Sequence, residues 1–316
     1  MSINVFKKIA LLGFMAVSTS VFAGPLNDYN LILSGDFNVQ GGSGHIEGKS
    51  FIGGDVLNGS VFSQYVGSNS TADTVKVVGN FNSNGAMHVE GGYLAYQGNF
   101  TGPTTICNGA GLGQSGCLKK VTDGSLTAEK TSILNSLQAE SNYYKGLSSS
   151  VGASLSGDMN NKTFKYTGAA TDLAVFNLSA SDLTGPNWSI DLGLASKAVI
   201  NVSGNVFNAG TTKTNGFTNS SIFNNVLWNF SDAINLNFGD SWYGSVLALK
   251  ADIYTGSNLN GAIAAKSYYG NGEIHQGRWN YTPPTPPKTN VPEPSSLLLS
   301  LFGLGLVLLG RARRQK

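Results

Sequence analysis

Residues 35–55, GDFNVQGGSGHIEGKSFIGGD, decide the fold because their pattern returns about 44 residues later as GNFNSNGAMHVEGGYLAYQGN, residues 79–99. Both copies open with Gly-Asp or Gly-Asn before a Phe-Asn pair, carry a His-x-Glu-Gly block, and close with Gly-Asp or Gly-Asn. Short apolar–polar alternations between glycines are typical of short strands joined by tight corners. Such repeats, each burying its apolar face against its neighbours, form a solenoid.

The same alternation continues along the chain and predicts further short strands at 31–33, 74–78, 198–202 and 245–249. Charged residues are only 12% of the chain, glycines number 41, and hydrophobic residues make up 41%, which suits many turns around a real core rather than disorder. The predicted fold class is therefore all-β dominated, a β-solenoid resembling a parallel β-helix. Asparagines at repeated positions are expected to form hydrogen-bonded ladders along the stack.

One segment breaks the strand pattern. Residues 126–147 are poor in glycine and place Ile133, Leu134, Leu137 and Tyr144 on one stripe at helical spacing. Asp123 or Ser125 is a candidate cap at the start, and Gly146 ends the segment. The sequence predicts one long amphipathic helix lying alongside the β body.

The two cysteines, Cys107 and Cys117, flank a glycine-rich stretch. In an exported protein this spacing predicts one disulfide, which stabilises by roughly 2–3 kcal/mol in the chain-entropy model. A C-x9-C pair with no second pair and no nearby histidine does not suit a metal site.

The C-terminal end has three consecutive parts. Pro292, Glu293 and Pro294 come first, a stretch without charge follows, and Arg311, Arg313 and Arg314 come last. The apolar members of the stretch are Leu297, Leu298, Leu299, Leu301, Phe302, Leu304, Leu306, Val307, Leu308 and Leu309. About 15 uncharged residues make a short membrane helix of roughly 22 Å, and the basic cluster places its end in the cytoplasm.

This tripartite tail resembles the PEP-CTERM sorting signal of Gram-negative bacteria. The resemblance implies that an exosortase in the inner membrane processes the anchored precursor and passes it to the cell surface or the extracellular matrix. The N-terminal end agrees with export, since Lys7 and Lys8 precede an apolar run and Val21-Phe22-Ala23 fits a cleavage site between Ala23 and Gly24. The N-terminal signal is expected to be a helix that is removed.

The charge of the exported body differs from that of the whole chain. Of the 20 basic residues, two lie in the signal and four in the tail, which leaves 14 against 18 acidic residues. A mildly acidic body without a basic cluster excludes nucleic acid as a partner.

The body also resembles the choice-of-anchor A family of surface domains. The segments that carry the resemblance run in the family's order and lie within residues 26–281. They are Tyr29–Phe37, His45–Gly48, Ala174–Leu183, Val199–Gly204, Val226–Ala233, Gly244–Leu249, Asn260–Ser267 and Gly272–His275. The resemblance implies a displayed surface domain and no known catalytic activity.

All three histidines lie two residues from a glutamate, as in His45 with Glu47 and His88 with Glu90. The third pair is Glu273 with His275. Residues two apart share a face of a strand, so stacking of the two repeats would bring the first two pairs together as a candidate metal site. Repetition alone accounts for the same pattern, and no metal and no cofactor are predicted.

Enzymatic motifs are absent from the sequence, which has no G-x-S-x-G elbow, no H-E-x-x-H helix, no P-loop and no dinucleotide fingerprint. Asp172, Asp182 and Asp191 are candidate carboxylates for a polysaccharide-cleaving solenoid, but none has a base beside it. Aromatic residues crowd the second half, and in the pairs Trp242-Tyr243 and Tyr268-Tyr269 one ring should face outward.

The predicted organisation is a signal peptide at 1–23, a solenoid domain at 24–281, a Pro/Thr linker at 282–291 and a sorting and anchor segment at 292–316. The predicted function is that of an exported, noncatalytic surface or matrix protein. Its expected partners are the exosortase, the membrane through the C-terminal helix, and exopolysaccharide or other surface components. The alternative is a carbohydrate-active β-solenoid enzyme, or an ice- or glycan-binding adhesin, although the regular Thr-x-Thr rows of ice-binding solenoids are missing.

Overall fold

The structure is a computed structural model that describes residues 24–39, 44–58, 61–62, 64–67, 70–82, 88–102, 107, 116–210 and 213–283. The helices are α1 Pro25–Asp28, α2 Ser125–Lys145 and α3 Ser220–Phe223, with a 3₁₀ turn at Ala180–Asp182. The strands before α2 are β1 Leu31–Leu33, β2 Phe37–Val39, β3 His45–Ile46, β4 Ser50–Ile52, β5 Val56–Leu57, β6 Val61–Phe62, β7 Asp73–Val77, β8 Phe81–Asn82, β9 His88–Val89, β10 Tyr93–Tyr96, β11 Phe100–Thr101 and β12 Leu118–Lys120.

Among the described residues, fourteen strands follow α2. They are β13 Ala153–Gly157, β14 Asn161–Tyr166, β15 Ala174–Ser179, β16 Asn187–Asp191, β17 Ala198–Ser203, β18 Val206–Asn208, β19 Lys213–Gly216, β20 Val226–Asn229, β21 Asn235–Phe238, β22 Trp242–Tyr243, β23 Ser245–Thr255, β24 Leu259–Asn260, β25 Ile263–Gly270 and β26 Ile274–His275.

Most strands build three parallel faces. The helix face has the order β15-β17-β20-β23-β25-β1-β4-β7-β10-β12. The tyrosine face has the order β18-β21-β23-β25-β2-β5-β8-β11, because β23 and β25 are long enough to turn the corner. The histidine face contains β22-β24-β26-β3-β6-β9. This closed, three-sided stack of parallel strands is a β-helix, and it confirms the predicted solenoid.

The stacking order does not follow the chain order. The coils from β1 to β12 stack in one direction, and helix α2 follows them in the chain. The later coils end with β25 and β26, which pair with β1 and β3 respectively. The first and last coils are therefore neighbours. We call this junction the seam. A separate four-stranded sheet has the order β13-β14-β16-β19, in which the β13–β14 hairpin is antiparallel and the other two pairs are parallel.

The repeated Gly-Asp and Gly-Asn pairs lie at the corner between the helix face and the tyrosine face. Asp36 Oδ1 accepts the Asp55 amide at 2.8 Å, Asp55 Oδ1 accepts the Asn80 amide at 2.6 Å, and Asn80 Oδ1 accepts the Asn99 amide at 2.9 Å. The glycine before each acid or amide is needed because a Cβ on Gly79 would lie 2.4 Å from the carbonyl oxygen of Gly54. The motif that predicted the solenoid is thus its corner.

Helix α2 covers the outer side of the helix face. Ile133, Leu137 and Tyr144 of the helix pack on the outward side chains of the strands, a set that comprises Ile32, Phe51, Val175, Val199, Leu227, Leu247 and Ala264. A sheet buried on both sides requires nearly continuous apolar runs, and β1, β17 and β25 have them. The inner side chains of the three faces form the main core.

The predicted helix at 126–147 is observed at Ser125–Lys145. Its N-cap is Gly124 in the left-handed region, without a side-chain cap, while Asp123 Oδ1 accepts the amide of Ser125 at 2.9 Å. The predicted signal helix and C-terminal membrane helix lie outside the described residues. No helix within the described ranges is both long and apolar enough to cross a bilayer.

Candidate functional site

The tyrosine face presents an uncovered outer row of side chains. The strand register aligns its members across neighbouring coils, and they alternate with buried residues such as Phe207, Tyr268 and Phe81. The members are Asn208, Asn237, Tyr254, Tyr269, Asn38, Leu57, Asn82 and Thr101. Amide, phenol and hydroxyl groups on one flat surface can donate and accept hydrogen bonds with a polar ligand.

Two tyrosines stand in the middle of this row. The rings of Tyr254 and Tyr269 stack with centroids 5.1 Å apart and planes 15° apart, and Tyr254 is 40% exposed. They border a shallow hollow of about 320 Å³ that Asn237 and Asn271 also line. An exposed aromatic surface flanked by amides suits a saccharide, whose apolar ring face packs on aromatic rings while its hydroxyls meet polar groups.

The other candidate aromatics are mostly in the core. Trp188, Trp228, Trp242 and Trp279 are all buried, so none of them forms a surface patch. The expectation for the adjacent pairs holds, since Trp242 and Tyr268 point inward whereas Tyr243 and Tyr269 remain partly exposed. Alternation along a strand therefore predicted the outward ring of each pair. The tryptophans are buried and are not candidates for a binding surface.

The histidine face carries a cluster at the seam. The register pairs Ile274 of β26 with Ile46 of β3, which places Glu273 beside His45 and His275 beside Glu47. His45 Nδ1 lies 3.2 Å from Glu273 Oε1, and His45 Nε2 lies 3.9 Å from Glu47 Oε1. His275 Nε2 lies 2.8 Å from Glu273 Oε2. Two imidazoles and two carboxylates thus alternate at the four corners of one small patch.

The tautomer of His275 follows from its neighbours. Asn260 Nδ2 donates to the Trp242 carbonyl at 3.1 Å, so Asn260 Oδ1 is the atom that faces His275 Nδ1 at 2.8 Å. An amide oxygen only accepts, and Nδ1 must therefore carry the proton. Nε2 of His275 is left as the nitrogen directed into the cluster.

The structure brings His45 and Glu47 together with His275, not with His88 and Glu90. The candidate metal site required β9 to stack directly on β3, but β6 lies between them and pairs Val61 with both His45 and His88. Two strand spacings separate the histidines by about 10 Å. The sequence did contain a signal for the observed cluster. The order Glu273-x-His275 is the reverse of His45-x-Glu47, so pairing the two strands in parallel places each histidine opposite a glutamate.

The three candidate catalytic aspartates have different surroundings. Asp182 accepts the Ser179 amide and hydroxyl in a capping box, and the hydroxyl bond is the main cause of its lowered pKa. Asp191 accepts the Gly193 amide in a turn after β16. Asp172 precedes β15 at a corner of the coil. Local turn formation thus accounts for Asp182 and Asp191.

Cys107 and Cys117 form the predicted disulfide, with Cα atoms 5.7 Å apart. Cys107 extends the histidine face by a parallel bridge to Val89, and Cys117 is buried directly before β12. The bond closes the coil that leads to β12. The predicted cleavage residue Ala23 and the tail residues from Pro292 onward lie outside the described ranges.

A family model described as "Putative Ice-binding-like adhesive domain" matches residues 22–276. The chain belongs to this family. A second model, the PEP-CTERM protein-sorting motif, matches residues 290–315. The ice-binding-like adhesive domain is therefore joined to a signal for exosortase-dependent export, by way of a membrane-anchored precursor, to the cell surface. No curated protein matches the sequence.

Solved structures similar to this chain include a glycosylated ice-binding protein from an Arctic yeast, at 12% identity and a TM-score of 0.32, covering 86% of this chain and 98% of that one. Another is the ice-binding protein 1 domain of Shewanella frigidimarina, at 11% identity and a TM-score of 0.33, covering 81% of this chain and 98% of that one.

Proposed function

We propose that the chain is a noncatalytic adhesin, displayed on a Gram-negative cell or in its matrix, whose tyrosine face contacts exopolysaccharide. The observation that carries the proposal is the union of an ice-binding-like adhesive domain with a sorting motif in one chain. The resemblance to choice-of-anchor A domains agrees with it, since those are surface domains with exchangeable anchors.

The proposed processing follows the ends of the chain. A signal peptide at 1–23 is removed between Ala23 and Gly24, the linker at 282–291 separates the solenoid from the tail, and Pro292, Glu293 and Pro294 mark the exosortase site. The apolar segment from Leu297 to Leu309 anchors the precursor in the inner membrane with the basic end in the cytoplasm.

The chemistry of the outer row favours a saccharide over ice. Of the eight aligned side chains only Thr101 is a threonine, whereas asparagines and tyrosines are in the majority. Stacked rings and amides offer shape and hydrogen bonds to a sugar, and alanine replacement of central aromatic contacts is often costly for binding.

Export is tested by intact mass and cell fractionation of the native protein in cells with and without the exosortase. We expect a surface product that lacks residues from the Pro-Glu-Pro region onward only when the exosortase is present. An uncleaved inner-membrane product in both strains would contradict surface display.

Contact through the tyrosine face is tested with purified matrix polysaccharide. The double change Tyr254→Ala with Tyr269→Ala should weaken binding by about tenfold or more, since a central aromatic contact accounts for much of a binding free energy. Tyr65→Ala is the control, because Tyr65 is 61% exposed but lies after β6 on the histidine face. Equal weakening by both variants would exclude the tyrosine face as the contact surface.

A further inference from the structure

We propose that His45, Glu47 and His275 bind one first-row transition-metal cation, such as Zn²⁺, across the seam. One ligand atom from each of the three side chains lies within 4.8 Å of the other two. Ligand atoms around a tetrahedral zinc are about 3.4 Å apart, given bonds of about 2.1 Å. Small rotations of these partly exposed side chains are enough to close that difference.

Two of the three ligands are already oriented by neighbours. Asn260 holds the Nδ1 proton of His275 and directs Nε2 into the cluster. The Gln276 amide donates to Glu47 Oε2 at 2.5 Å and leaves Oε1 for the site. Hydrogen bonds of this kind to the far side of a ligand are the usual supports of protein metal sites.

The donor set selects the kind of metal. Two imidazole nitrogens with a carboxylate suit Zn²⁺, Ni²⁺ or Cu²⁺, whereas Ca²⁺ and Mg²⁺ prefer oxygen ligands alone. Glu273 contacts both imidazoles, with Oε1 3.2 Å from His45 Nδ1 and Oε2 2.8 Å from His275 Nε2, but it is not one of the three converging ligands.

The location gives the site a structural consequence. Among the residues that the structure describes, the seam on the histidine face contains a single residue pair, Ile274 with Ile46, whereas the seam on each of the other two faces has three pairs. A metal bound here would join coils that are separated by more than 200 residues in the sequence. Binding to the folded state alone would stabilise this junction in proportion to the metal concentration.

The test is calorimetric titration of the full-length protein, purified in mild detergent, with Zn²⁺, Ca²⁺ and Mg²⁺ separately. We expect one Zn²⁺ per chain with micromolar affinity or better and a raised melting temperature, and no comparable binding of Ca²⁺ or Mg²⁺. His275→Gln and His45→Gln should each weaken Zn²⁺ binding by at least about tenfold, as should Asn260→Ala.

His88→Gln is the matched control, because it removes a histidine from the same face two strands away. Circular dichroism establishes that each variant is folded, and Glu47→Gln provides a fourth test that leaves both histidines in place. Absence of Zn²⁺ binding to the unaltered protein, or equal weakening by His88→Gln and His275→Gln, would overturn the assignment.

A different observation supports a second inference, which rests on the proposed export. We infer that the carboxylate of Glu140 is the counter-ion of the mature amino terminus at Gly24. Glu140 is only 6% exposed, and a Cβ placed on Gly24 would lie 2.9 Å from its Oε2. Cleavage between Ala23 and Gly24 would create an ammonium group beside this buried oxygen.

Within the described part of the chain, the contacts of Glu140 include hydrogen-bond donors but no cation. Tyr144 donates its hydroxyl to Oε1 at 2.7 Å, and Trp279 donates to the Tyr144 oxygen at 2.8 Å. Among the ion pairs of the described residues, none includes Glu140, and burial raises its pKa above the usual range. A buried carboxylate without a cation opposes folding, and a cation beside it removes that cost.

The start of the chain is held in place for this contact. Leu26 is fully buried, and its carbonyl accepts the Trp279 amide at 3.1 Å. Gly24 therefore has little freedom to move away from helix α2.

The test compares a chain beginning at Gly24 with one that retains residues from Ser20 onward, each with and without Glu140→Gln. In the chain beginning at Gly24 the substitution should lower the melting temperature by roughly 3–6 °C, whereas in the longer chain it should have no effect or raise it. Glu129→Gln, which removes a surface pair with Lys76, should act equally in both.

An equal change in melting temperature on Glu140→Gln in both chains would overturn the inference that Glu140 pairs with the amino terminus. The mass of the exported protein separately reports where cleavage occurs. Cleavage elsewhere would refute the predicted signal site. It would not change the effect of Glu140→Gln measured in the chain that begins at Gly24.

Discussion

Three asparagines show at the residue scale how a repeated side chain can attach one element to another. Asn177, Asn201 and Asn229 are aligned on neighbouring strands of the helix face. Asn229 Nδ2 donates to Asn201 Oδ1 at 2.8 Å, and Asn201 Nδ2 donates to Asn177 Oδ1 at 2.7 Å. The second hydrogen of each amide meets a carbonyl of helix α2 or of Leu147 just beyond it. The ladder thus satisfies both the sheet side chains and the end of the helix.

Asn229→Ala should lower the free energy of unfolding by about 2–3 kcal/mol. The asparagine is 1% exposed, and its loss removes the acceptor of the Ser141 hydroxyl and the donor to Asn201 Oδ1, both of them buried. Urea unfolding followed by circular dichroism measures the change. Asn208→Ala, at an exposed position of β18, should change it by less than about 0.5 kcal/mol. Similar losses for both would argue against the ladder.

Asp232 contributes a pH-dependent contact at the end of helix α2. Its hydrogen bond with Lys145, at 2.7 Å, is the main cause of a pKa below the usual 3.8. Because the folded-state pKa is lowered, the contribution to stability is present above pH 4 and disappears as the pH falls through the lowered value. Asp232→Asn should cost less than about 1 kcal/mol at pH 7, since the pair is exposed to solvent. The difference between the two proteins should shrink as the pH falls below 3.8, and a difference in urea unfolding that stays constant as the pH is lowered would refute the contact.

At the scale of elements, helix α2 is held by its apolar stripe. Leu137 is fully buried against the outer side of the helix face. Leu137→Ala should cost about 2–4 kcal/mol, whereas Leu134→Ala, at a half-buried position, should cost about 1 kcal/mol or less. Chemical unfolding of both variants tests this order. A larger loss for Leu134 would mean that the stripe is assigned to the wrong side of the helix.

Elements with a strong local pattern were predictable. The predicted stripe of Ile133, Leu134, Leu137 and Tyr144 identified the helix, although Leu134 is only half-buried, and the Gly-Asp and Gly-Asn corners identified the solenoid. The coil between the two similar repeats was missed because its own sequence lacks the His-x-Glu block. Val61 therefore occupies the position between His45 and His88.

The partner strand of β3 could not be predicted from a local sequence pattern, because it depends on the path of the whole chain. The chain returns along helix α2 and closes its last coil against its first. This closure brings His275 to His45, whereas the sequence repeat alone suggested His88. The outward direction of Tyr269 was predictable because alternation in a strand is local.

At the scale of the whole molecule, the seam divides the solenoid into two stacks that differ in their spectroscopic signals. None of the four tryptophans lies in the stack from β1 to β12: three lie on strands formed after helix α2, and Trp279 follows β26 and packs on Tyr144 of the helix. Tryptophan fluorescence therefore reports the later stack and its contact with helix α2, while far-ultraviolet circular dichroism reports both stacks. Helix α2 packs on strands of both stacks, including Phe51 of the first and Leu227 of the second, so the two should unfold together.

We expect coincident fluorescence and circular dichroism transitions for the unaltered protein in urea, as in a two-state process. Ala265 is fully buried in β25 at the seam, where it pairs with Leu33. Ala265→Asp buries an unpaired charge there and should separate the two transitions, because it disrupts the seam and leaves helix α2 as the remaining contact between the stacks. Ser203→Asp, at an exposed position of β17, should leave them coincident. Separate transitions in the unaltered protein would show that the stacks fold independently and that closure of the seam is not what makes the solenoid one cooperative unit.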